Sequence, residues 1–148
     1  MVAAAAILLG STTNASGQGA GVPKPGRVVY TWVERLFHSN IYVKMPGEPS
    51  PRMVHDELGL IYQAKWSPDG EYISFATNVV GPGPKDMISV MHADGTRLQR
   101  VVLNINVEQD PYAWGPGDRQ ITYYDGGGDW DGDLWIIDID DPESPAKL

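Results

Sequence analysis

The chain has 148 residues, of which 42% are hydrophobic, and its five Trp and seven Tyr provide enough apolar material for one folded domain. Its formal net charge of −8 argues against binding to a nucleic-acid backbone or to an anionic membrane surface. The sequence contains no cysteine, which excludes disulfides, thiol catalysis and thiolate zinc sites. The 17 Gly and 12 Pro are spread between short apolar runs, and this favours many short strands joined by frequent turns.

The first 22 residues differ from the rest of the chain. Residues 2–10 (VAAAAILLG) form an apolar run that is about half of the ~20 residues needed to span a bilayer. Small and polar residues follow, as in a secretory signal peptide cleaved after Ala15 or Gly17, although the basic residues that usually precede the apolar run are missing. The sequence therefore predicts a periplasmic or secreted protein without membrane insertion after processing, with a disordered tail as the alternative for residues 1–22.

A strand, a tight turn and a second strand recur along the chain, with a Trp before each turn. The stretch 64–76 (AKWSPDGEYISFA) has the Ser-Pro-Asp-Gly chemistry of a type I turn, and 113–124 (AWGPGDRQITYY) repeats the pattern 48 residues later. The second copy predicts a type II turn at Pro116-Gly117. The matched positions are Trp66, Pro68, Asp69 and Gly70 in one copy and Trp114 and Pro116 in the other.

The similarity extends beyond these two hairpins. Residues 86–91 (DMISVM) align with 133–138 (DLWIID), and 26–30 (GRVVY) with 40–44 (NIYVK) lie about 45 residues before the middle copy. A period of about 45 to 48 residues with four strands per unit indicates propeller blades, because a β-sandwich has no reason to repeat Trp-x-Pro at a fixed interval. In the middle unit we expect strands near 60–66, 71–77, 86–92 and 97–103.

The predicted fold is all-β, with propeller blades of four antiparallel strands. Residues 23–148 would form a partial propeller of about 2.5 to 3 blades, whereas complete propellers have about four to eight. The first unit lacks its first strand, and we expect the third to stop where its outermost strand should begin. The chain is therefore a piece of a longer protein, one of two copies that associate to complete a ring, or a compact partial propeller. The predicted units are 26–58, 59–105 and 106–148.

The middle unit also resembles a known family. The residues that carry the resemblance are Trp66-Ser-Pro-Asp-Gly70, Ile73-x-Phe75, Ile88-x-Val90-Met91 and Ala93-Asp-Gly95. They are similar to the WD40-like "PD40" repeat, which builds the propeller of the periplasmic TolB protein and of related secreted proteins, and also the propellers of prolyl-oligopeptidase-type enzymes. The resemblance covers roughly residues 26–148 and implies a TolB-like propeller, but it says little about function because propellers host many unrelated activities.

The sequence offers no catalytic constellation. The Gly-x-Ser-x-Gly nucleophile elbow is absent, so we expect this chain not to be an enzyme. His38, His55 and His92 lie in three different contexts without the spacing of a zinc site.

The stretch 125–133 (DGGGDWDGD) is the strongest candidate for a ligand site. Asp129, Asp131 and Asp133 alternate like the first three oxygen ligands of a calcium loop, although Leu134 stands where the EF-hand pattern requires Gly. Trp130 lies among them and could stack on a sugar ring or anchor a protein partner. The alternative is a solvated glycine-rich hairpin with exposed acids. Calcium is the one cofactor that the sequence suggests.

These observations favour a non-catalytic, exported propeller segment that binds a protein partner, as the resemblance to TolB implies. Its loops at one rim, including 78–85 and 125–133, would form the contact surface. One alternative is the propeller part of a larger hydrolase of the prolyl-oligopeptidase type, or of a sugar-acting lyase. Another is calcium-dependent carbohydrate binding at the acidic loop.

Overall fold

A computed structural model describes residues 26–35, 37–79, 86–103, 112–125 and 132–148. Every regular element in these ranges is a β-strand. Within them, no helix has the length and hydropathy needed to cross a membrane. The strands are β1 (Val28–Arg35), β2 (His38–Lys44), β3 (Arg52–Glu57), β4 (Gly59–Trp66), β5 (Tyr72–Val79), β6 (Asp86–His92), β7 (Gln99–Leu103), β8 (Tyr112–Trp114), β9 (Gln120–Asp125), β10 (Asp133–Asp138) and β11 (Asp141–Lys147).

The strands form three antiparallel sheets in which sheet order follows chain order. Blade 1 contains β1, β2 and β3, blade 2 contains β4 to β7, and blade 3 contains β8 to β11. Blade 2 lies between the other two, and each of its faces shares a buried apolar cluster with one neighbour. Successive sheets of three or four antiparallel strands that pack face to face are propeller blades, so the predicted fold class is confirmed.

The third sheet corrects one expectation. The chain does not stop before the outermost strand of blade 3, because β11 pairs with β10 and places Asp138 opposite Asp141. Only Ile139 and Asp140 connect the two strands, which is shorter than the connection between β6 and β7. Asp141 and Pro142 begin this strand, and an edge strand tolerates proline because its outer N–H groups have no ladder partner.

The two predicted turns have different outcomes. At the first, the Gly70 N–H donates to the Ser67 carbonyl across 2.9 Å, and Gly70 has a φ of 73°. The φ of Asp69 is not positive, as a type I turn requires. The type II turn at Pro116-Gly117 is wrong, since Gly117 is not in the left-handed region. The turn lies further along instead, where the Gln120 N–H donates to the Gly117 carbonyl across 3.3 Å.

The strand ladders show how blades 2 and 3 correspond. Trp66 pairs with Ile73 and Trp114 pairs with Ile121, an offset of 48 residues in both strands. In the next strand, Ile73 lies opposite Met91 whereas Ile121 lies opposite Ile137, an offset of 46. The alignment of 86–91 with 133–138 is therefore wrong by one residue. In a strand, such a slip assigns every side chain to the opposite face.

Alternate residues of blade 2 are buried against different neighbours. Ile61, Ile73, Phe75 and Met91 pack with Val29, Ile41 and Val43 of blade 1. Tyr72, Ala76, Ile88 and Val90 pack with Tyr112, Ile121, Tyr123 and Ile137 of blade 3. This is the alternation of a pleated strand with both faces covered, which explains why the central strands are apolar at nearly every position.

Gly95 brings the connection after β6 against blade 1. It has a φ of 93°, and a Cβ atom there would overlap the backbone carbonyl of Val54. Arg52, two residues before Val54, donates to the Ala93 carbonyl across 3.3 Å. The connection therefore packs directly on β3, with the backbone of Gly95 against the backbone of Val54.

Lys65 lies between blades 2 and 3. Its Nζ atom is 4.0 Å from the centroid of the Tyr112 ring, donates to the Tyr112 carbonyl and lies 3.0 Å from Gln63 Oε1. The Tyr112 hydroxyl donates to the Gln63 carbonyl across 2.5 Å. Burial lowers the pKa of Lys65 from 10.5 to about 8.

Replacing Phe75 by Ala should destabilise the protein strongly. Phe75 is completely buried between blades 1 and 2, and loss of a buried aromatic ring leaves a cavity that typically costs about 3–5 kcal/mol. Urea denaturation of Phe75→Ala measures the effect. Phe37→Ala is the matched control, because Phe37 is 41% exposed and its loss should change the free energy of unfolding by about 0.5 kcal/mol or less.

Gly95→Ala should be more destabilising than Gly47→Ala. Both glycines have a positive φ, at which an Ala costs about 1–2 kcal/mol, but a Cβ at Gly47 meets no atom within 4 Å. The clash with Val54 should add about 1–3 kcal/mol at Gly95. Equal losses in thermal denaturation would show that the close approach of the connection to β3 does not contribute.

Lys65 should make the stability of the protein depend on pH above 8. Since its pKa is about 8 in the folded chain and 10.5 otherwise, the unfolded chain binds more protons between these values. The free energy of unfolding should therefore rise with pH across this window, by a few kcal/mol at most. Urea denaturation of wild type and Lys65→Met at several pH values isolates the effect, which should be absent in the variant.

Candidate interaction rim

The strand ends form two rims with different chemistry. The turn rim contains the connections β2–β3, β4–β5, β6–β7, β8–β9 and β10–β11. The loop rim contains the β1–β2 turn, the β3–β4 connection and the strand ends that flank 80–85, 104–111 and 126–131. Gln99 Nε2 donates to the Ile139 carbonyl across 2.7 Å, so the turn rims of blades 2 and 3 lie on the same side. The opposite strand ends of both blades therefore belong to the loop rim.

Side-chain and backbone hydrogen bonds close the turn rim tightly. Asp69 Oδ1 accepts from the Ser67 hydroxyl and from the Glu71 N–H, at 2.5 and 2.9 Å. Asp94 Oδ1 accepts from both the N–H and the hydroxyl of Thr96, and these two bonds lower the pKa of Asp94. These acids are therefore used within their own turns.

The loop rim exposes large apolar side chains. Phe37 is 41% exposed, Leu58 62% and Leu103 50%. The Gly59 N–H donates to the Phe37 carbonyl across 2.9 Å, so Phe37 and Leu58 lie next to each other. Phe37 has a φ of 61°, which is unfavourable for a bulky residue. A strained aromatic residue that points to solvent is typical of functional positions rather than of core packing.

Acidic groups surround these apolar residues. His38 lies between two carboxylates, with Nε2 2.8 Å from Asp56 Oδ1 and Nδ1 3.2 Å from Glu34 Oε2. Both acids are about half exposed. Asp125 and Asp133 face each other across β9 and β10 at the same rim.

A second His–carboxylate pair lies in β3, next to the loop rim. His55 Nε2 lies 3.2 Å from Glu57 Oε2, and its ring centroid is 5.0 Å from that of Phe75. The hydrogen bond from His55 lowers the pKa of Glu57, and burial partly opposes this shift. The pair fixes the end of β3 against blade 2, immediately before Leu58. The sequence did not reveal the contacts of either histidine. Asp56, which contacts His38, and Phe75, whose ring contacts His55, each lie on a different strand from their histidine.

The structure places the predicted ligand residues in two groups. Asp129, Trp130 and Asp131 lie outside the described residues. Asp133 is the first residue of β10, and its Oδ2 atom is 2.7 Å from Lys147 Nζ. Among the described residues, no three His, Asp or Glu side chains are arranged to hold a metal ion. Calcium binding at 125–133 therefore stays a prediction.

The repeated Trp residues lie at the contacts between blades. Trp66 packs on the cluster of blades 1 and 2, with the Arg27 guanidinium 5.6 Å from its ring centroid. Arg27 also donates to the Gly70 carbonyl across 2.7 Å. Trp114 packs on the cluster of blades 2 and 3, and its Nε1 donates to the Lys65 carbonyl across 3.5 Å. Pro68 lies in the first turn and Pro116 directly before the second.

The sequence did not identify Phe37, Leu58 and Leu103 as candidate contact residues. The available signal was an apolar residue at the end of a strand next to a connection, followed by Gly59 in the case of Leu58. That signal is weak, because exposed single apolar residues are common on protein surfaces. Only the shared rim shows that these residues belong together.

The face-to-face blades define the class of this protein as a partial β-propeller. Among solved structures, the chain is similar to TolB from Acinetobacter baumannii, with 16% sequence identity and a TM-score of 0.61. The similarity covers 82% of this chain but 29% of TolB, so the chain spans less than a third of that protein. No protein-family model matches the chain, and no curated protein matches it. At this identity the comparison shows a TolB-like fold alone.

Proposed function

We propose that the chain is a non-catalytic segment of an exported β-propeller that binds a protein partner through the loop rim. The observation that carries the proposal is the difference between the rims. In the described connections of the turn rim, Leu98 is the one exposed large apolar side chain and polar turns close the rest, whereas the loop rim exposes Phe37, Leu58 and Leu103. The PD40-type repeat, a signal peptide at 1–22 and a periplasmic or secreted location are parts of the same proposal.

Phe37 and Leu58 would be the centre of the contact. Aromatic side chains that become fully buried dominate many protein interfaces, and a backbone that is already ordered loses little conformational entropy on binding. The hydrogen bond from Gly59 and the left-handed φ of Phe37 hold the backbone that carries this ring, so binding would have to order the side chain but not the turn. The His38 bonds to Glu34 and Asp56 hold the neighbouring strands in register beneath it.

The charges around this apolar centre indicate the chemistry of the partner. Glu34, Asp56, Asp125 and Asp133 lie near the loop rim, where Glu34 and Asp56 contact His38 and Asp133 is paired with Lys147. A partner that offers apolar groups bordered by Lys or Arg would be complementary. The overall charge of −8 would disfavour a nucleic acid at the same surface.

A non-catalytic role agrees with the use of the titratable groups. Among the described residues, the His–carboxylate pairs at His38 and His55 connect strands or pack on Phe75, and Lys65 is enclosed by Tyr112 and Gln63. The sequence has no nucleophile elbow. A hydrolase or lyase domain elsewhere in a longer protein stays the alternative, and in that case the loop rim would face the catalytic domain.

The double variant Phe37→Ser with Leu58→Ser should lose its partner without unfolding. Tagged wild-type chain should retain a specific protein from an envelope extract of the source cells, and the double variant should retain less than about a tenth of it, which corresponds to the loss of one anchoring contact. The matched control is Leu98→Ser, because Leu98 is 43% exposed but lies on the turn rim.

Retention by the double variant would overturn the assignment of the surface. Loss of the partner in the Leu98 variant as well would do the same. Circular dichroism of all three chains checks that the fold is unchanged.

A further inference from the structure

The two end sheets each present an apolar face that no described residue covers. On blade 3, Leu134 is 49% exposed and Leu148 is 64% exposed, and the Leu148 N–H donates to the Leu134 carbonyl across 2.9 Å. On blade 1, Val28 is 46% exposed and Met53 is 53% exposed. We call these surfaces the blade 3 face and the blade 1 face.

The blade 3 face repeats a surface that is buried elsewhere in the same chain. In blade 2, Ala76 pairs with Ile88. Tyr124 lies 48 residues after Ala76 and is its equivalent in blade 3, where it pairs with Leu134. Leu134 is therefore the counterpart of Ile88, which is completely buried against blade 3. By the same ladder, Ile136 is the counterpart of the buried Val90.

The blade 1 face carries two stacked tyrosines and a methionine. Tyr30 lies opposite Tyr42, and their rings stack with centroids 5.5 Å apart. Tyr42 in turn lies opposite Met53. Their strand neighbours Val29 and Val43 point into the cluster with blade 2, so the tyrosines and Met53 lie on the other side of the sheet.

Each inner blade contact joins the face of one blade that looks toward the following blade to the face of the next blade that looks back toward it. Val29, Ile41 and Val43 of blade 1 pack in the cluster that contains Phe75 of blade 2. Ile88 and Val90 of blade 2 pack in the cluster that contains Tyr112 and Tyr123 of blade 3. The two uncovered faces are one of each kind, since the blade 3 face looks toward a following blade and the blade 1 face looks toward a preceding one.

We propose that a second copy of this chain covers both faces. The blade 3 face of each copy would pack on the blade 1 face of the other, around a twofold axis. Each contact would continue the order of blade-to-blade packing already present inside the chain, and one partner would cover both faces at once. Two three-bladed arcs would form a ring of six blades, within the range of about four to eight in which propellers close.

The first test is the mass of the 148-residue chain in solution. Light scattering and sedimentation equilibrium should give twice the chain mass of 16.2 kDa, with dissociation on dilution. A chain that stays monomeric at every concentration overturns the proposal, whether it is folded or unfolded. That is the result expected if further blades of a longer protein cover the two faces.

The second test assigns the contact to the two faces. Leu134→Asp should halve the mass, whereas Leu98→Asp, at a similarly exposed leucine on the turn rim, should leave the mass unchanged. Met53→Asp on the blade 1 face should also halve it. Equal effects of the Leu134 and Leu98 variants, or no effect of either face variant, would contradict the proposal.

A mixture of the two face variants distinguishes this arrangement from others. In a mixed pair, the intact blade 1 face of the Leu134→Asp chain meets the intact blade 3 face of the Met53→Asp chain. One of the two contacts is therefore restored, and the mixture should form a dimer that neither variant forms alone. A mixture that stays monomeric would exclude the contact of blade 3 with blade 1. Phe37 and Leu58 lie on the loop rim and on neither of these faces, so the double variant Phe37→Ser with Leu58→Ser should leave the mass unchanged.

Discussion

The structure depends on the burial of both faces of the middle sheet. Phe75 and Ile73 point into the cluster with blade 1, while Ile88 and Val90 point into the cluster with blade 3. A three- or four-stranded sheet with one covered face would expose the other apolar face to water. Each blade therefore needs a neighbour on both sides, which is the physical reason why this repeat builds an arc of blades rather than separate units.

The contacts between blades also explain why the two rims differ. On the turn rim, the connections fit against adjacent blades, as Gly95 does against Val54 and Arg27 does against Gly70. This fit leaves little freedom for their sequences. The loop rim carries Phe37 and Leu58 without a comparable set of interblade bonds among the described residues. A scaffold whose blades are fastened together on one rim and which exposes apolar side chains on the other is suited to binding, and the proposed interaction surface follows from this difference.

Much of the fold could be predicted because its signals are local. The strands of the middle blade lie within two residues of their expected positions, since Pro, Gly and the apolar runs mark their ends. The errors arose where several local patterns fit the same residues. Pro116-Gly117 suited a type II turn, but the turn lies at 117–120. The third unit was expected to stop before its outermost strand, but a two-residue connection leads into β11, which pairs with β10. Of the candidate rim, the sequence pointed to the connections but not to Phe37 or Leu58.

The sequence by itself determined the positions and order of the four strands in the middle blade, because strand and turn preferences act over a few residues. Only the tertiary structure decided which apolar side chains are core and which are surface. Ile88 and Leu134 occupy equivalent ladder positions and have similar chemistry, yet Ile88 is completely buried and Leu134 is half exposed. The difference is the presence of a neighbouring sheet over one and not over the other, and burial of a side chain depends on atoms far away along the chain.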